Sequence, residues 1–403
     1  MDPATLAKLL SPEGRALLAE LPPYSAAGAL ALSTALHARG VDPDLLAAAL
    51  TQSRLRARGA AKLGTRAAGM LFTPAGLEQA TRLGVAQVHA RRYAAAGSRL
   101  VADLGCGLGG DALALSELGV PVLAVEADAT TAALAAENLR PFPSAVVRHG
   151  DALALDLPAE GVDAVFADPA RRSGGRRIFD PTAYAPPLDA VLALRRQVPD
   201  LGVKVAPGIP YSALPADAHA QWVSVAGDVV EAGLWFGGLA PEGPGRSALV
   251  LAGERAAVLT ERGDAEGAHE PGAPARAGAV RPPGQVLYEP DGAVIRAGLV
   301  ARVAELLGAG LLSPDIAYLT GDSLVPTPFA TAYRVLDQFP FALKPLRAYL
   351  RARDVGAVTI KKRGTAVEPE QLRRQLALKG SRPATIVLSR VAGRHSVLVV
   401  EPV

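Results

Sequence analysis

Residues 103–110 read Asp-Leu-Gly-Cys-Gly-Leu-Gly-Gly, between an apolar stretch ending at Ala102 and a helical pattern over Asp111 to Leu118. That is strand, glycine loop, helix. Glycines at 105, 107 and 109 allow positive φ and close approach of the backbone to a ligand. The loop N–H groups and the helix start then face that ligand. A dinucleotide loop spaces its glycines Gly-x-Gly-x-x-Gly and receives a pyrophosphate. Here the glycines alternate and Asp103 opens the loop, where its charge repels a pyrophosphate and suits an ammonium or sulfonium group. The loop also holds Cys106, the only cysteine of the chain, which excludes an intramolecular disulfide and a thiolate metal cluster. We expect it to fill space there rather than react.

Three further acids follow at strand ends. Val120 to Glu126 is an apolar run closed by a carboxylate, sixteen residues past Gly110, where an acid grips ribose hydroxyls in such folds. Arg148-His149-Gly150-Asp151-Ala152 closes a third segment and places Asp151 near an adenine edge. Val162 to Ala167 closes in Asp168-Pro169-Ala170-Arg171. Ligands of open parallel sheets bind beyond the carboxyl ends of the strands, where these acids fall.

These four motifs, in this order, resemble class I S-adenosylmethionine (SAM)-dependent methyltransferases over residues 70–255 or so. The resemblance implies Asp103 at the methionine amino end, Gly105 and Gly107 under the ligand, Glu126 on the ribose diol and Asp151 on the adenine amine. Cys106, Gly109 and Ala152 complete the expected cofactor-binding set. Amine methyltransferases carry Asn/Asp-Pro-Pro and an aromatic residue after the fourth strand. There an oxygen acceptor aims the target nitrogen, and the ring stacks on a flipped base. This chain keeps Asp168 and Pro169, expected as the catalytic pair, but has Ala170 and Arg171 next. Arg171 and Arg172 open the arginine-rich run Arg171 to Asp180, expected to meet substrate, as is Lys204 in the strand Gly202–Val205.

The expected fold is α/β, a Rossmann-like methyltransferase sheet. An N-terminal helical region precedes it, and a C-terminal α+β domain of ferredoxin-like, THUMP-like type follows. Residues 1–69 are Ala/Leu-rich, with helices over about Pro3–Glu20, Ser25–Arg39 and Asp42–Lys62. Residues 70–260 alternate strand and helix; the helix before the glycine strand either closes over the cofactor, with Gln79 and Thr81 as lid groups, or only packs on the sheet. Residues 261–284 lack periodicity and read as a linker or long loop. Residues 285–403 resume with a helix over Ala293–Leu307 and end helix, strand, helix, strand, strand. Tyr288 to Leu299, Ala317 to Asp322 and Thr359 to Gly364 resemble a bacterial family of class I methyltransferases with a THUMP-like C-terminal domain. THUMP domains are RNA-binding modules of tRNA and rRNA enzymes, so the resemblance implies an RNA partner.

Charge points the same way. Net charge is +3 over 403 residues, yet Phe341 to Val403 carries thirteen lysines and arginines against four acids. A basic tail on a mildly acidic body suits a polyanion. Lys361, Lys362 and Arg363, at a strand end, are its expected substrate contacts. The six histidines show no metal-ligand spacing, and no metal is expected. No stretch reads as a signal peptide or a membrane span, so a cytoplasmic protein is expected. The leading reading is methyl transfer to a base of tRNA or rRNA. A DNA, protein or small-molecule acceptor, or a non-catalytic SAM- and RNA-binding protein, are the alternatives. Oligomeric state is not legible.

Overall fold

A computed structural model describes residues 2–170, 180–261 and 279–403, with the backbone alone of 172–173 and 176–177. The chain forms two compact units, Met1–Ile209 with Gly233–Gly243, and Pro210–Ala232 with Pro244–Val403.

The first unit carries β1 (Val101–Leu104), β2 (Val122–Glu126), β3 (Ala145–His149) and β4 (Ala164–Ala167). It also carries the two-residue ladder β5 (Arg172–Ser173) with β6 (Arg176–Arg177), and β7 (Asp200–Val205). The larger strands pair in parallel in the order β7-β4-β1-β2-β3. Strand order reverses between β1 and β4, which makes a crevice at their carboxyl ends. β1 and β4 are buried at every residue, because helices cover both faces of such a sheet.

Six α-helices precede the sheet, the first four being Pro3–Leu9, Pro12–Glu20, Ala29–Ala38 and Pro43–Leu63. The single helix expected over 3–20 breaks at Ser11. Its hydroxyl donates to the Lys8 carbonyl at 2.7 Å and accepts from Gly14 N at 3.1 Å, so it closes one helix and caps the next. These helices have no core of their own. Leu9, Leu17, Leu46 and Leu55 join one apolar cluster with Leu108, Ala112, Leu134 and Phe166 of the sheet region.

Two buried amides fasten the extended segment Met70–Phe72 between those layers. Gln52 donates to the Phe72 carbonyl and accepts from its N–H, both at 2.8 Å. Asn138, on the helix Ala129–Leu139, does the same for Leu71 at 3.1 and 2.7 Å. Its amide also donates to the carbonyl of Leu108, in the glycine loop, at 2.9 Å.

The second unit holds β8 (His219–Val225), β10 (Gly245–Ala252) and β11 (Arg255–Thr260), with β10 parallel to β8 and antiparallel to β11. β9 (Asp228–Trp235) follows β8 through Ala226 and Gly227, both at positive φ, as a two-residue hairpin turn requires. Its other sheet contains β12 (Val286–Pro290), β13 (Gly310–Ser313), β14 (Ile316–Gly321), β15 (Ala330–Pro340), β16 (Val355–Lys362), β17 (Arg382–Val391) and β18 (Arg394–Pro402). Their order is β13-β14-β12-β15-β18-β17-β16. The sheet curls, so that Ala392 N reaches the Leu312 carbonyl at 3.1 Å. Alternation gives it two buried faces. Ile386, Leu388, Val397 and Val399 pack under the helices Leu343–Ala352 and Pro369–Leu376. Val387, Leu398 and Val400 face Leu312, Tyr318 and Tyr333.

Three sequence expectations need correction here. The helix over 293–307 is two helices, Gly292–Arg296 and Val300–Leu307, because Gly298 adopts φ 75° where a Cβ would lie 2.9 Å from Arg246 Nη1. The compact unit begins before 285, since the helix Gly292–Arg296 packs on β8 and β10. The tail runs helix, strand, helix, strand, strand as expected, with β16 and β17 parallel, and the correction is the added strand β15 in front of it. The two-layer sandwich is therefore present with a strand order of its own. Residues 262–278 of the expected linker lie outside the described residues.

Replacing Asn138 by Ala leaves the Leu71 N–H and carbonyl and the Leu108 carbonyl buried without partners. The variant should unfold in denaturant with about 2–4 kcal/mol less stability. A loss below about 1 kcal/mol would show that the amide does not fasten the loop.

Candidate active site

The glycine loop takes the form its composition demands. Gly105, Gly107 and Gly109 have φ of 78°, 55° and 82°. Gly105 N and Cys106 N donate to the Val125 carbonyl at 2.9 and 3.1 Å, which holds the loop against the end of β2. A Cβ on Gly105 would sit 3.2 Å from the Asp168 carbonyl, whereas nothing lies within 4 Å of one on Gly107. The loop thus presses on the β4 terminus at one glycine and stays open at the next. Cys106 is buried, and burial first, then the charges of Asp103 and Glu126, push its thiol well above its ordinary range.

Asp103 ends β1 with 1% of its surface exposed, and its Oδ2 meets no hydrogen-bond partner among the described residues. Burial pushes its carboxyl well above the usual range, and the charges of Asp111 and Asp168 add to the push. A backbone hydrogen bond from Ala112 and the Lys204 ammonium oppose it without cancelling it. Glu126 is differently placed: Oε2 accepts from Gly107 N at 3.0 Å and Oε1 from Asp128 N at 2.9 Å. Each oxygen keeps acceptor capacity. Asp151 is exposed at the start of the turn Ala152–Ala154, and its Oδ1 accepts from Leu153 N at 2.9 Å.

Across the crevice, Asp168 follows β4 and its N–H donates to the Leu104 carbonyl at 3.2 Å. Its Oδ2 accepts from Lys204 Nζ at 2.6 Å. Lys204, on β7 and only 5% exposed, also donates to Thr81 Oγ1 at 2.9 Å. Thr81 is therefore a buried partner of the lysine. Pro169 is buried, and Ala170 exchanges two backbone hydrogen bonds with Ala185 at 2.8 and 3.0 Å. Arg171 lies outside the described residues, and of Arg172 only the backbone is described.

The sequence reading missed one pair beneath this site. His89 Nδ1 stands 2.9 Å from Asp111 Oδ1, both buried. Burial pushes the Asp111 carboxyl up, but the His89 hydrogen bond and charge, helped by Lys204, hold it below its ordinary range. The available signal was His89 on the otherwise apolar face Val85, Ala86, Ala90, Tyr93 of the helix Leu83–Ala96.

The expected substrate contacts of the tail lie in the second unit, each with a carboxylate nearby. Lys361 Nζ stands 2.6 Å from Glu289 Oε2, Arg363 Nη2 3.6 Å from Glu289 Oε1, and Lys362 Nζ 2.8 Å from Glu368 Oε1. Among the described residues there is no group of three His, Cys, Asp or Glu able to hold a metal. No helix there is long and apolar enough to cross a membrane.

An alternating glycine loop after β1, acids at the ends of β1, β2 and β4, and a reversal of strand order between β1 and β4 describe a class I methyltransferase site. Comparison with known proteins agrees. Residues 101–171 match the methyltransferase domain family model, 330–402 the THUMP domain-like family and 2–59 a domain of unknown function (DUF8688). Uncharacterized S-adenosylmethionine-dependent methyltransferases of Mycobacterium tuberculosis strains CDC 1551 and H37Rv are each 38% identical over 347 residues, covering 84% of this chain and 90% of theirs. A crystal structure from Porphyromonas gingivalis W83, of a protein described as a methyltransferase, shares the fold with a TM-score of 0.73. It is 19% identical, with 94% of this chain and 99% of that one covered. The chain belongs to the S-adenosylmethionine-dependent methyltransferases. It is an enzyme of that class, and SAM is its cofactor.

A carboxyl raised by burial favours the protonated native state, so its ionisation drains stability as pH climbs towards its native pKa. Asp103→Asn removes that drain. Its thermal midpoint should exceed the wild type's by a few degrees near pH ~8, and the gap should close below about pH 4, where the carboxyl is protonated in the unfolded chain as well. A gap independent of pH would contradict the assignment.

Proposed function

We propose that this methyltransferase modifies a base of tRNA or rRNA. The observation that carries the reading is the THUMP domain-like match over residues 330–402, on a chain whose residues 101–171 match a methyltransferase domain. Such a C-terminal module on this catalytic class supports an RNA acceptor.

The residues present suit SAM. The partnerless Oδ2 of Asp103 is a buried acceptor that a cationic amino group satisfies, and that cation restores the ionised carboxylate. Gly105, Gly107 and Gly109 give the methionine and ribose portions a backbone floor, with Cys106 filling the space beside it. Glu126 receives the ribose hydroxyls while staying tied to Gly107, and Asp151 with Ala152 borders the adenine. When bound, SAM supplies an electrophilic methyl carbon on a sulfonium.

This chain's part of the reaction is orientation. Asp168, with Oδ2 committed to Lys204, offers Oδ1 to a base amine. That hydrogen bond and the backbone beside Pro169 aim the nitrogen lone pair at the methyl group. Lys204 acts on the carboxylate, and Thr81 fixes the lysine. Arg171 and Arg172 complete the reading as phosphate contacts of the acceptor.

Tritiated-methyl transfer to total RNA from a deletion strain, followed by nucleoside mass spectrometry, should restore one modified nucleoside. Asp168→Ala should lower that transfer by about 100-fold or more, with SAM affinity within ~3-fold of wild type. Asp103→Asn should lose SAM binding in calorimetry. Absence of any restored nucleoside would refute the RNA reading.

A further inference from the structure

The second unit holds a cluster of cations that its own residues do not satisfy. Lys361 and Arg363 are two residues apart at the end of β16, so both side chains leave the same face. That face is the concave one, and there they meet Tyr333, Tyr318 and Glu289. Lys361 Nζ lies 5.3 Å from the centre of the Tyr333 ring, and the Arg363 guanidinium 5.4 Å from that of Tyr318. Glu289 is the one carboxylate among them. It is held by Lys361 at 2.6 Å and by the Tyr333 hydroxyl at 3.4 Å, and it leaves Arg363 at 3.6 Å, beyond a hydrogen bond.

Donors therefore outnumber acceptors. Arg363 Nε, Tyr318 Oη and Arg390 Nε are buried with no hydrogen-bond partner among the described residues. Arg390 belongs to the same place. A Cβ on Gly364, the residue after Arg363, would lie 3.3 Å from Arg390 Nε and 2.3 Å from Ile316 Cδ1. Gly364, at φ 69°, lets the chain leave β16 tightly over β14 and so sets Arg363 against Tyr318. Three cations, two tyrosine hydroxyls and one carboxylate make a net positive, half-open site; the Lys361 and Arg363 side chains are each 31% exposed. A buried donor without an acceptor is costly, and several donors converging from different strands call for a ligand with more than two oxygens.

We propose that Lys361, Arg363, Arg390 and Tyr318 form a discrete site for a phosphoryl group on the concave face of the second unit's sheet. This differs from diffuse attraction by a basic surface. Lys362 points the other way and caps a local pair with Glu368, and Arg374, Lys379, Arg382 and Arg394 are exposed. The phosphoryl group comes either free in solution or from an RNA chain; only the second source rests on the proposed RNA acceptor.

The test uses the full chain with two probes, inorganic phosphate and a short single-stranded RNA, titrated with and without each other. Wild type should bind phosphate saturably. Arg363→Gln should weaken it by about 10-fold or more, the isosteric Tyr318→Phe by ~3-fold, and Lys379→Gln by less than ~2-fold. If RNA is the source, it displaces phosphate and loses affinity in the same order of variants; if free phosphate is the ligand, RNA does not compete. Thermal midpoints and SAM binding check that the variants are folded. The proposal is overturned if wild type shows no saturable phosphate binding, or if Arg363→Gln and Tyr318→Phe change both probes no more than Lys379→Gln. Phosphate binding that survives a failure to methylate RNA would leave this site standing and sink the RNA acceptor alone.

Discussion

Too many carboxylates share the carboxyl ends of β1 and β4 for the charges available to them. Asp103, Asp111 and Asp168 interact electrostatically, the first two buried and Asp168 half-buried, with Lys204 and His89 as the nearby groups able to carry positive charge. Like charges at this range in a low-dielectric interior are strongly unfavourable, so each must find a cation, a donor or a proton. Two have partners: Asp111 has the His89 imidazole and Asp168 the Lys204 ammonium. The third, Asp103, is left with an empty oxygen. The surrounding architecture makes this arrangement unavoidable. β1 brings Asp103 to the reversal point, β4 delivers Asp168 beside it, and β7 sends Lys204 from the far side. That unmet acceptor is the feature on which the proposed SAM site rests.

The local part of this was legible in the residues themselves. Alternating glycines after an apolar run specify a strand, a positive-φ loop and a helix, and the loop has that form. Acids closing apolar runs specify strand ends. Pairings between remote segments were not legible. Nothing near Thr81 in the chain announces that it will hold Lys204, 123 positions away. His89 could be noticed only as a polar residue on an apolar face, and Asp111 reads as an ordinary first-turn acid. Helix breaks were likewise hidden. Gly298 sits in an amphipathic pattern that continues across it, and only its packing against Arg246 and Tyr211 explains the break. Strand β15 escaped notice because much of it is half exposed and lacks a continuous apolar run.

The tail shows how charge counts mislead when taken without partners. Thirteen basic residues against four acids suggest an open electropositive surface. In the fold, Lys362 and Arg373 each find a carboxylate, and Arg347 and Arg351 bond helix-end carbonyls. Much of the excess is consumed in closing the ends of helices and strands. The part that matters is the small fraction left inside the curl of the sheet, where dielectric screening is weaker and direction is fixed.

The Gln52 and Asn138 amides bear on how genes of this kind can be rearranged. Residues 101–171 match a methyltransferase model by themselves and look like a transferable cassette. Yet the glycine loop inside that stretch is moored through Leu108 and Asn138 to Leu71, and Phe72 next to it is moored to a helix matched by an unrelated model over 2–59. A recombination event that exchanged the leading helices alone would cut these moorings and expose leucines now shared between the layers. The N-terminal helices and the catalytic core are therefore expected to travel together through evolution as one inherited piece.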